Sequence, residues 1–451
     1  MNLDRRNFLV GASASIAAAA ISVTGNAVGS QTAGESQDVN KLSSWKAVRS
    51  QFDQLSSDVI HMSSFFLVSH PQPVRDEIEK HRKAIDADPL TYLEKNMFEM
   101  PGKIQAAAAE YLGGKAEEVA LTNSTTMGLA LVYHGLPLKA GQEILTTAHD
   151  HFVHHEAIRL AAERAGATVK KIALFDDIKK VSEQDIVDRI KKAVKPKTRV
   201  VGITWVHSGT GLKLPIRAIA DAVAVLNKGR SESDRVLLIV DGVHGLGVED
   251  ETVAEMGADF FIAGTHKWIF GPRGTGIVWA KAENWKTLRV IFPAFAIEPF
   301  MAWMSGTKPT APTQASWITQ GGFHAFEYEW ALPAAFEFHK QIGRKKIAAR
   351  IHELNDQCKV ALAAMPHVKL HTPLGNKLSS GLIAFEIEGM KSDEVVKRLH
   401  EKKIIASTAP YRESYARLAP SLLNTPEEIE TTLREIRAVA TRNKQPNQEQ
   451  L

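Results

Sequence analysis

Two apolar runs of this chain, residues 236–240 and 260–263, are followed by side chains that can transfer protons or form covalent bonds. The residues that follow them are Asp241-x-x-His244 and Gly264-Thr265-His266-Lys267. Ligands of open α/β sheets bind at the carboxyl ends of the strands, so these groups are expected at one edge of a sheet. A lysine in that position, beside a histidine and before the glycine-rich stretch 271–276, is expected to form a Schiff base rather than to lie in solvent.

The elements that must position these residues alternate between strand and helix patterns. Apolar runs predict strands at residues 119–122, 143–146, 169–172, 199–204, 236–240, 260–263 and 276–280. Helical periodicity predicts helices at residues 155–165, 182–194 and 216–227. Strands separated by helices indicate a mostly parallel, right-handed α/β sheet. Further along, residues 291–319 predict a long loop, and residues 327–364 predict one long helix before a smaller α/β lobe.

The composition of the chain argues against several classes of protein. Its 55 lysines and arginines exceed its 51 acidic residues by only four, and the basic residues are scattered among acidic ones, so nucleic acid is not an expected partner. The single cysteine, Cys358, permits no internal disulfide. After the N-terminal region, no segment has the pattern of a stable membrane span. The length of 451 residues is enough for two packed lobes around one active site.

The first 30 residues have the pattern of an export signal. Arg5 and Arg6 precede an alanine-rich, charge-free stretch from residue 10 to residue 30, which is typical of the bacterial twin-arginine (Tat) pathway. Small residues at 25–27 offer a cleavage site, and a disordered basic tail is the alternative interpretation. We therefore expect the Tat export machinery as a partner, and a periplasmic or otherwise exported protein.

Together, Asp241-x-x-His244 and His266-Lys267-Trp268 resemble the motifs of the class V, fold-type I pyridoxal-phosphate (PLP) enzymes, in particular the isopenicillin N epimerase-like group. The resemblance implies PLP as the cofactor, a homodimer, and a large mostly parallel-sheet domain with a smaller C-terminal α/β lobe. The expected divisions of the chain are the export signal (1–30), an N-terminal arm (31–75), the large PLP-binding domain (76–325) and the small C-terminal domain (326–451).

The resemblance also implies roles for the residues of the two motifs. Lys267 attaches the cofactor covalently, and Asp241 pairs with the pyridine nitrogen, which must stay protonated for the ring to accept electrons. His244 touches the ring O3′ and, with Lys267 and Asp241, belongs to the catalytic group. Thr265 and His266 also contact the cofactor, His266 at its phosphate.

A hydroxyl-rich turn, Ser124-Thr125-Thr126, follows the first predicted strand and precedes a helical run. Such residues often do no more than cap a helix. A phosphate, however, binds well at a helix N-terminus, and members of the family use a similar turn for this purpose. We therefore assign Ser124, Thr125 and Thr126 to the phosphate.

A histidine-rich stretch, residues 149–155, lies where the family places the side chain that stacks on the pyridine ring. Phe152 is our first assignment for stacking and His151 the second. The same histidines could bind a metal, but no cysteine or paired carboxylate accompanies them, so no metal site is expected.

Further positions complete the expected site. Ser208 stands where the family carries an asparagine that contacts the substrate or the ring. Gly322 stands where the family often carries a threonine that reaches the phosphate of the neighbouring subunit. Arg417, together with Arg412, is assigned to the carboxylate of the substrate, because an arginine can bind a carboxylate through two parallel hydrogen bonds. The alternative for Arg417 is a structural role in the small lobe.

The family leaves several reactions open. Desulfuration needs a cysteine on the loop before Arg417, and residues 407–414 contain none. Transamination, or a related oxidative removal of the amino group, needs only Lys267 as proton carrier, and it is our prediction for an amine substrate that carries a carboxylate, either a free amino acid or a peptide-bound moiety. Epimerisation is the alternative and needs a second proton-transferring group; the candidates are His151, His154, His324 and Tyr411.

Two further hypotheses concern the setting of the protein. A periplasmic member of the family matures a siderophore peptide and carries a similar signal, so siderophore maturation is one expected role. The alternative from another class is an exported binding protein without catalytic activity, although such a protein would have no need of a Schiff-base lysine.

Overall fold

The structure, a computed structural model, describes residues 42–442. The predicted export signal and the first part of the N-terminal arm lie outside the described residues. The helices are α1 (Trp45–Ser50), α2 (Gln72–Ala87), α3 (Pro89–Asn96), α4 (Met100–Leu112), α5 (Thr125–Gly135), α6 (Phe152–Ala165), α7 (Glu183–Ala193), α8 (Ile216–Leu226), α9 (Val253–Met256), α10 (Ala282–Trp285), α11 (Ile297–Met304), α12 (Ala315–Ile318), α13 (Phe326–Glu329), α14 (Leu332–Ile342), α15 (Arg344–Ala363), α16 (Ser392–Glu401) and α17 (Pro426–Arg442). The strands are β1 (Ile60–His61), β2 (Val119–Thr122), β3 (Glu143–Thr147), β4 (Thr168–Ile172), β5 (Thr198–Thr204), β6 (Leu237–Asp241), β7 (Phe260–Gly264), β8 (Gly276–Ala280), β9 (Val368–Leu370), β10 (Ile383–Ile387), β11 (Ile404–Ile405), β12 (Ser407–Thr408) and β13 (Ala416–Leu418).

Seven strands form the main sheet, in the order β2-β8-β7-β6-β5-β3-β4. The five strands from β3 to β7 run parallel, and β8 runs antiparallel to both of its neighbours. All but the edge strand β4 are buried along their whole length, which is expected where helices cover both faces of a sheet. The predicted α/β fold with a mostly parallel sheet is confirmed.

The carboxyl ends of the parallel strands meet at one edge of this sheet. Thr204 at the end of β5 is paired in register with Asp241 at the end of β6, and β7 ends beside them at Gly264. The loops that leave this edge therefore bring distant parts of the chain together.

A second, four-stranded antiparallel sheet has the order β12-β13-β10-β9. Helices α15, α16 and α17 pack around it over an apolar core of their own. The N-terminal arm joins this lobe, because β1 pairs in parallel with β11. The domain boundaries predicted from the sequence stay predictions. None of the described helices is long and apolar enough to cross a membrane.

The prediction of one helix over residues 327–364 is wrong, because the structure divides this stretch into α13, α14 and α15. Gly343 separates α14 from α15 with a φ of 96°, in the region that favours glycine. Pro333 lies in the first turn of α14, where its missing N–H does no harm. The predicted loop at 291–319 contains two short helices, α11 and α12.

Candidate active site

The three side chains that we assigned to catalysis lie together at the carboxyl edge of the main sheet. Lys267 Nζ lies 3.2 Å from His244 Nε2. The indole N–H of Trp268 donates to His244 Nδ1 at 3.4 Å, so the proton of the neutral imidazole is on Nε2 and points toward Lys267. Asp241 is 2% exposed, and its carboxylate accepts the backbone N–H of Val243 at 3.1 Å.

Burial sets the ionisation of these groups. It raises the pKa of Asp241 to about 7, against the opposing effects of the Val243 N–H and Lys267. Burial lowers the pKa of Lys267 to about 8, with Asp241 opposing and Arg417 adding to the shift. Burial and the neighbouring Lys267 lower the pKa of His244 well below its ordinary value. The site thus holds an amine that is readily deprotonated and a carboxylate that lacks a fixed cation strong enough to keep it ionised.

The hydroxyl-rich turn lies at the start of α5 and is joined to the lysine-bearing strand. Ser124 caps the helix by accepting the N–H of Met127 at 3.2 Å. The Thr125 hydroxyl accepts the backbone N–H of Gly264 at 2.8 Å. A Cβ at Gly264 would lie 2.8 Å from His266 Cε1, so only glycine leaves room for that imidazole. Thr126 is exposed in the same turn.

Thr265 lies beside this turn, but its hydroxyl is already engaged. Its side chain is fully buried and lies 2.6 Å from the hydroxyl of Thr275, which itself donates to the carbonyl of Pro272 at 2.5 Å. The Thr265 hydroxyl must therefore donate to Thr275, and it has no proton left for a phosphate. Thr265 holds the loop that carries Lys267 and does not offer the cofactor a donor.

Of the two residues proposed to stack on the ring, the structure brings His151 to the site. His151 caps α6, lies with its ring 6.0 Å from that of Tyr411, and has a pKa that burial lowers and that Lys267 and Arg417 lower further. The side chain of Phe152, in contrast, is 67% exposed. Phe152 was the first choice from the sequence, and the structure favours His151.

The remaining histidines of this stretch have separate partners. His149 stacks on Phe175 at 4.3 Å, His154 contacts the Tyr133 hydroxyl at 2.7 Å, and His155 donates to the carbonyl of Thr147 at 2.8 Å. Among the residues that the structure describes, no group of three or more histidine, cysteine or acidic side chains is arranged to bind a metal.

Sequence reasoning missed the role of Asp150, which joins the ends of two strands. Its carboxylate accepts the N–H of Thr147 at 2.8 Å on β3 and the N–H of Thr204 at 2.7 Å on β5. Burial by itself would raise the pKa of Asp150, but His154, His207 and the hydrogen bonds lower it below its ordinary value. Its position directly before His151 was the only available signal, and that signal is too weak to identify it.

Arg417 lies on β13 and faces the site from the second lobe. It is 3% exposed, and its two terminal nitrogens donate to the carbonyls of Ser208 at 2.8 Å and Thr408 at 2.7 Å. Its Nε is buried without a hydrogen-bond partner, and among the described residues no carboxylate acts on its pKa, which burial lowers to about 10. Its Cζ lies 4.7 Å from the ring of Phe65, a residue to which the sequence assigned no role at the site. A buried arginine with free N–H groups and no anion is suited to bind a carboxylate ligand.

The other predicted residues are placed as follows. The Ser208 hydroxyl lies 2.6 Å from that of Tyr411, so Ser208 contacts both Tyr411 and Arg417. Arg412 is exposed and does not join this group. Gly322 lies in a half-exposed loop with a φ of 87°, two residues after Gln320, whose side chain accepts the N–H of Asn123 beside the hydroxyl-rich turn.

Comparison with known proteins identifies the family. Residues 70–411 match the family described as aminotransferase class-V. The chain belongs to this family. It is 25% identical over 400 residues to isopenicillin N epimerase of Streptomyces clavuligerus, which covers 86% of this chain and 96% of that protein. It is 28% identical over 286 residues to a cysteine desulfurase of Klebsiella pneumoniae, and this match covers 63% of this chain and 66% of that protein.

Solved structures show the same fold. A variant of the enzyme C-DES with glycine covalently linked to its PLP cofactor has a TM-score of 0.77 at 18% identity and covers 86% of this chain and 98% of its own. The cysteine desulfurase of Thermococcus onnurineus has a TM-score of 0.74 at 19% identity, and the match covers 88% of this chain and 98% of that one. This class V chain is a PLP-dependent enzyme with the fold-type I architecture.

The residues of this class V enzyme fit PLP. A protonated pyridine nitrogen would be the cation that the buried Asp241 lacks, and Lys267 would be the amine for the aldehyde. The N-terminus of α5, the Thr125 hydroxyl and the neighbouring His266 would provide donors for the phosphate. The hydroxyl of Ser124, in contrast, donates to Asn123 Oδ1 at 2.9 Å.

Proposed function

We propose that this class V enzyme acts at the Cα of an amino acid, or of a peptide-bound amino-acid moiety, and removes the amino group by transamination-type chemistry. The observation that carries the proposal is the buried Arg417, whose Nε has no partner, at the same site as Lys267. Arg417 can bind the carboxylate of a substrate, and Lys267 can take the proton from the Cα of that substrate.

When bound, PLP supplies a protonated ring that accepts the electron pair left at Cα. Asp241 would hold the ring nitrogen in its protonated form, His151 would cover the ring, and the first turn of α5 would bind the phosphate. Lys267, with a pKa of about 8, is neutral often enough near pH 8 to accept a proton from Cα. The Nε2–H of His244 faces Lys267 Nζ and orients it.

Desulfuration does not fit this chain, although cysteine desulfurases are among its relatives. Its single cysteine, Cys358, is fully buried in α15, and burial raises the pKa of the thiol to about 12. A thiol in that environment cannot act as the nucleophile that accepts sulfur.

Epimerisation is the second candidate, because a second proton donor lies at the site. The hydroxyl of Tyr411 lies 2.6 Å from Ser208, in contact with His151. Two other candidates are occupied elsewhere: His154 contacts Tyr133, and His324 lies 3.2 Å from Glu329. The similarity to isopenicillin N epimerase over 86% of the chain also favours this reading.

The proposal includes export through the Tat pathway to the periplasm and assembly as a homodimer. Arg5 and Arg6 support the export route. The apolar side chains exposed on and around α11 support the homodimer; they include Phe295, Phe300, Met301 and Trp303. Maturation of a siderophore peptide is one setting that suits an exported enzyme of this kind. Replacement of Arg5 and Arg6 by lysine should abolish export, and light scattering should give twice the mass of the mature chain.

The experiment that separates the two reactions is product analysis of the PLP-loaded enzyme with amino acids and short peptides. Transamination predicts an oxo product together with the pyridoxamine form of the cofactor. Epimerisation predicts a product of unchanged mass and inverted configuration at Cα. If no carboxylate-bearing amine yields either product, the proposal is wrong.

A further inference from the structure

The segment before α2 runs along the second lobe and enters the active site. β1 pairs with β11 in the register Ile60↔Ile404, and the carbonyl of Met62 accepts the N–H of Ala419 at 2.7 Å. Ala419 follows Arg417 by two residues. This pairing holds Phe65, three residues after Met62, beside the end of β13.

The ring of Phe65 lies between Arg417 and the part of the site that holds Lys267. Its ring is 1% exposed and lies 4.7 Å from Arg417 Cζ. The same ring lies 5.6 Å from that of His244, which contacts Lys267, and 6.4 Å from Trp268 in a stacked arrangement. The face of an aromatic ring is electron-rich, so it attracts the guanidinium and covers it on one side.

We propose that Phe65 is a positioning residue that fixes the guanidinium plane of Arg417 for the carboxylate of the substrate. The inference rests on the proposed function. The carbonyls of Ser208 and Thr408 each take one N–H of the guanidinium, and the ring closes one of its faces. The Nε–H, which is buried without a partner, is a hydrogen-bond donor that the protein itself does not use. A carboxylate must then approach in the plane of the guanidinium, where two parallel hydrogen bonds can form.

The matched control for Phe65 is Phe52. Both residues are buried in the same apolar cluster. The ring of Phe52 packs on Phe270 at 5.0 Å and Phe338 at 5.9 Å, rather than on Arg417. Phe65→Leu and Phe52→Leu therefore remove similar apolar contacts, but only the first removes the aromatic face from the guanidinium. Phe65→Tyr keeps the ring, and Phe65→Met replaces Phe65→Leu if that variant does not fold.

The test measures ligand binding to the PLP-loaded enzyme from the change in visible absorbance. The probes are L-norvaline and butylamine, which differ only in the carboxylate. Phe65→Leu should weaken L-norvaline about tenfold and leave butylamine unchanged, since a cation–π contact at a desolvated site is worth about one order of magnitude in affinity. Phe65→Tyr and Phe52→Leu should bind both probes as the parent does. A crystal structure of Phe65→Leu should show the guanidinium displaced from the Ser208 carbonyl.

The outcomes distinguish the role of Phe65 from the carboxylate site at Arg417. If Arg417→Lys removes the preference for L-norvaline but Phe65→Leu retains it with an unmoved guanidinium, the role of Phe65 is refuted and the carboxylate site stands. Equal losses in Phe65→Leu and Phe52→Leu would also refute it. If the parent enzyme binds both probes equally, the proposed carboxylate site fails, and the role of Phe65 falls with it.

Discussion

The hydroxyl of Thr125 accepts the backbone N–H of Gly264 across a distance of 2.8 Å. Thr125 begins α5, and Gly264 ends β7, three residues before Lys267. One buried hydrogen bond thus joins the turn assigned to the phosphate to the strand that positions the lysine. The residues assigned to the two ends of the cofactor are thus joined to each other by the protein itself.

Replacement of Thr125 by valine should weaken PLP binding. Valine keeps the shape but leaves the Gly264 N–H buried without a partner, which costs about 1–3 kcal/mol. The affinity for PLP, followed by absorbance during titration of the apoprotein, should fall. Thr91→Val is the control, because Thr91 is exposed on α3 and is none of the residues assigned to the phosphate. Equal affinities of the two variants would show that this bond does not shape the site.

The rate at which the apoprotein attaches PLP should rise with pH and level off above about pH 8. Only the neutral amine reacts with an aldehyde, and burial lowers the pKa of Lys267 to about 8, so the neutral fraction grows as the pH rises through that value. Asp241 opposes this shift. Asp241→Asn should therefore move the midpoint to lower pH. A midpoint near that of an ordinary lysine would contradict the burial of Lys267.

The ionised carboxylate of Asp241 should destabilise the apoprotein. Its pKa is about 7 in the folded state and near 3.8 in the unfolded chain, so ionisation penalises folding increasingly from about pH 4 to pH 7. Above that range Asp241→Asn should be more stable than the parent apoprotein, by on the order of 2–4 kcal/mol. Below pH 4 the difference should vanish. Urea unfolding at several pH values measures it, and a loss of stability at pH 8 would contradict this view.

His151→Ala should lower the affinity for PLP and shift its visible spectrum, because we propose that the imidazole covers the pyridine ring. Phe152→Ala is the matched control, since Phe152 is the neighbouring residue and is two-thirds exposed. We expect Phe152→Ala to bind PLP as the parent does. The opposite result would restore Phe152 as the stacking residue.

Much of the fold could be predicted because buried strands are continuous apolar runs. The predicted strand at 276–280 has the same limits as β8, and those at 119–122 and 260–263 differ from β2 and β7 by at most one residue. Their order could not be predicted, because periodicity carries no information on which strands pair. The break at Gly343 was missed for a related reason: apolar spacing continues across it, although its φ of 96° ends the helix.

The close approach of Asp241 and Lys267 could be predicted, because both follow strands that end at the same edge of the sheet. The site could not be predicted where the burial of a side chain decides whether that residue faces the site. His151 and Phe152 are neighbours in sequence, but His151 lies beside Tyr411 whereas the side chain of Phe152 is exposed. Phe65 and Arg417 are separated by 352 positions in the sequence. They come into contact because β1 pairs with β11, which the sequence does not reveal.

Lys267 is proposed to move the proton at Cα of a carboxylate-bearing amine. The most direct test is incubation of the PLP-loaded enzyme in deuterium oxide with amino acids and short peptides, followed by mass spectrometry of the Cα position. The parent enzyme should introduce deuterium at Cα or release the oxo product, and Lys267→Ala, loaded with the same cofactor, should do neither. Exchange that persists in Lys267→Ala, while His151→Ala or Tyr411→Phe abolishes it, would contradict the account.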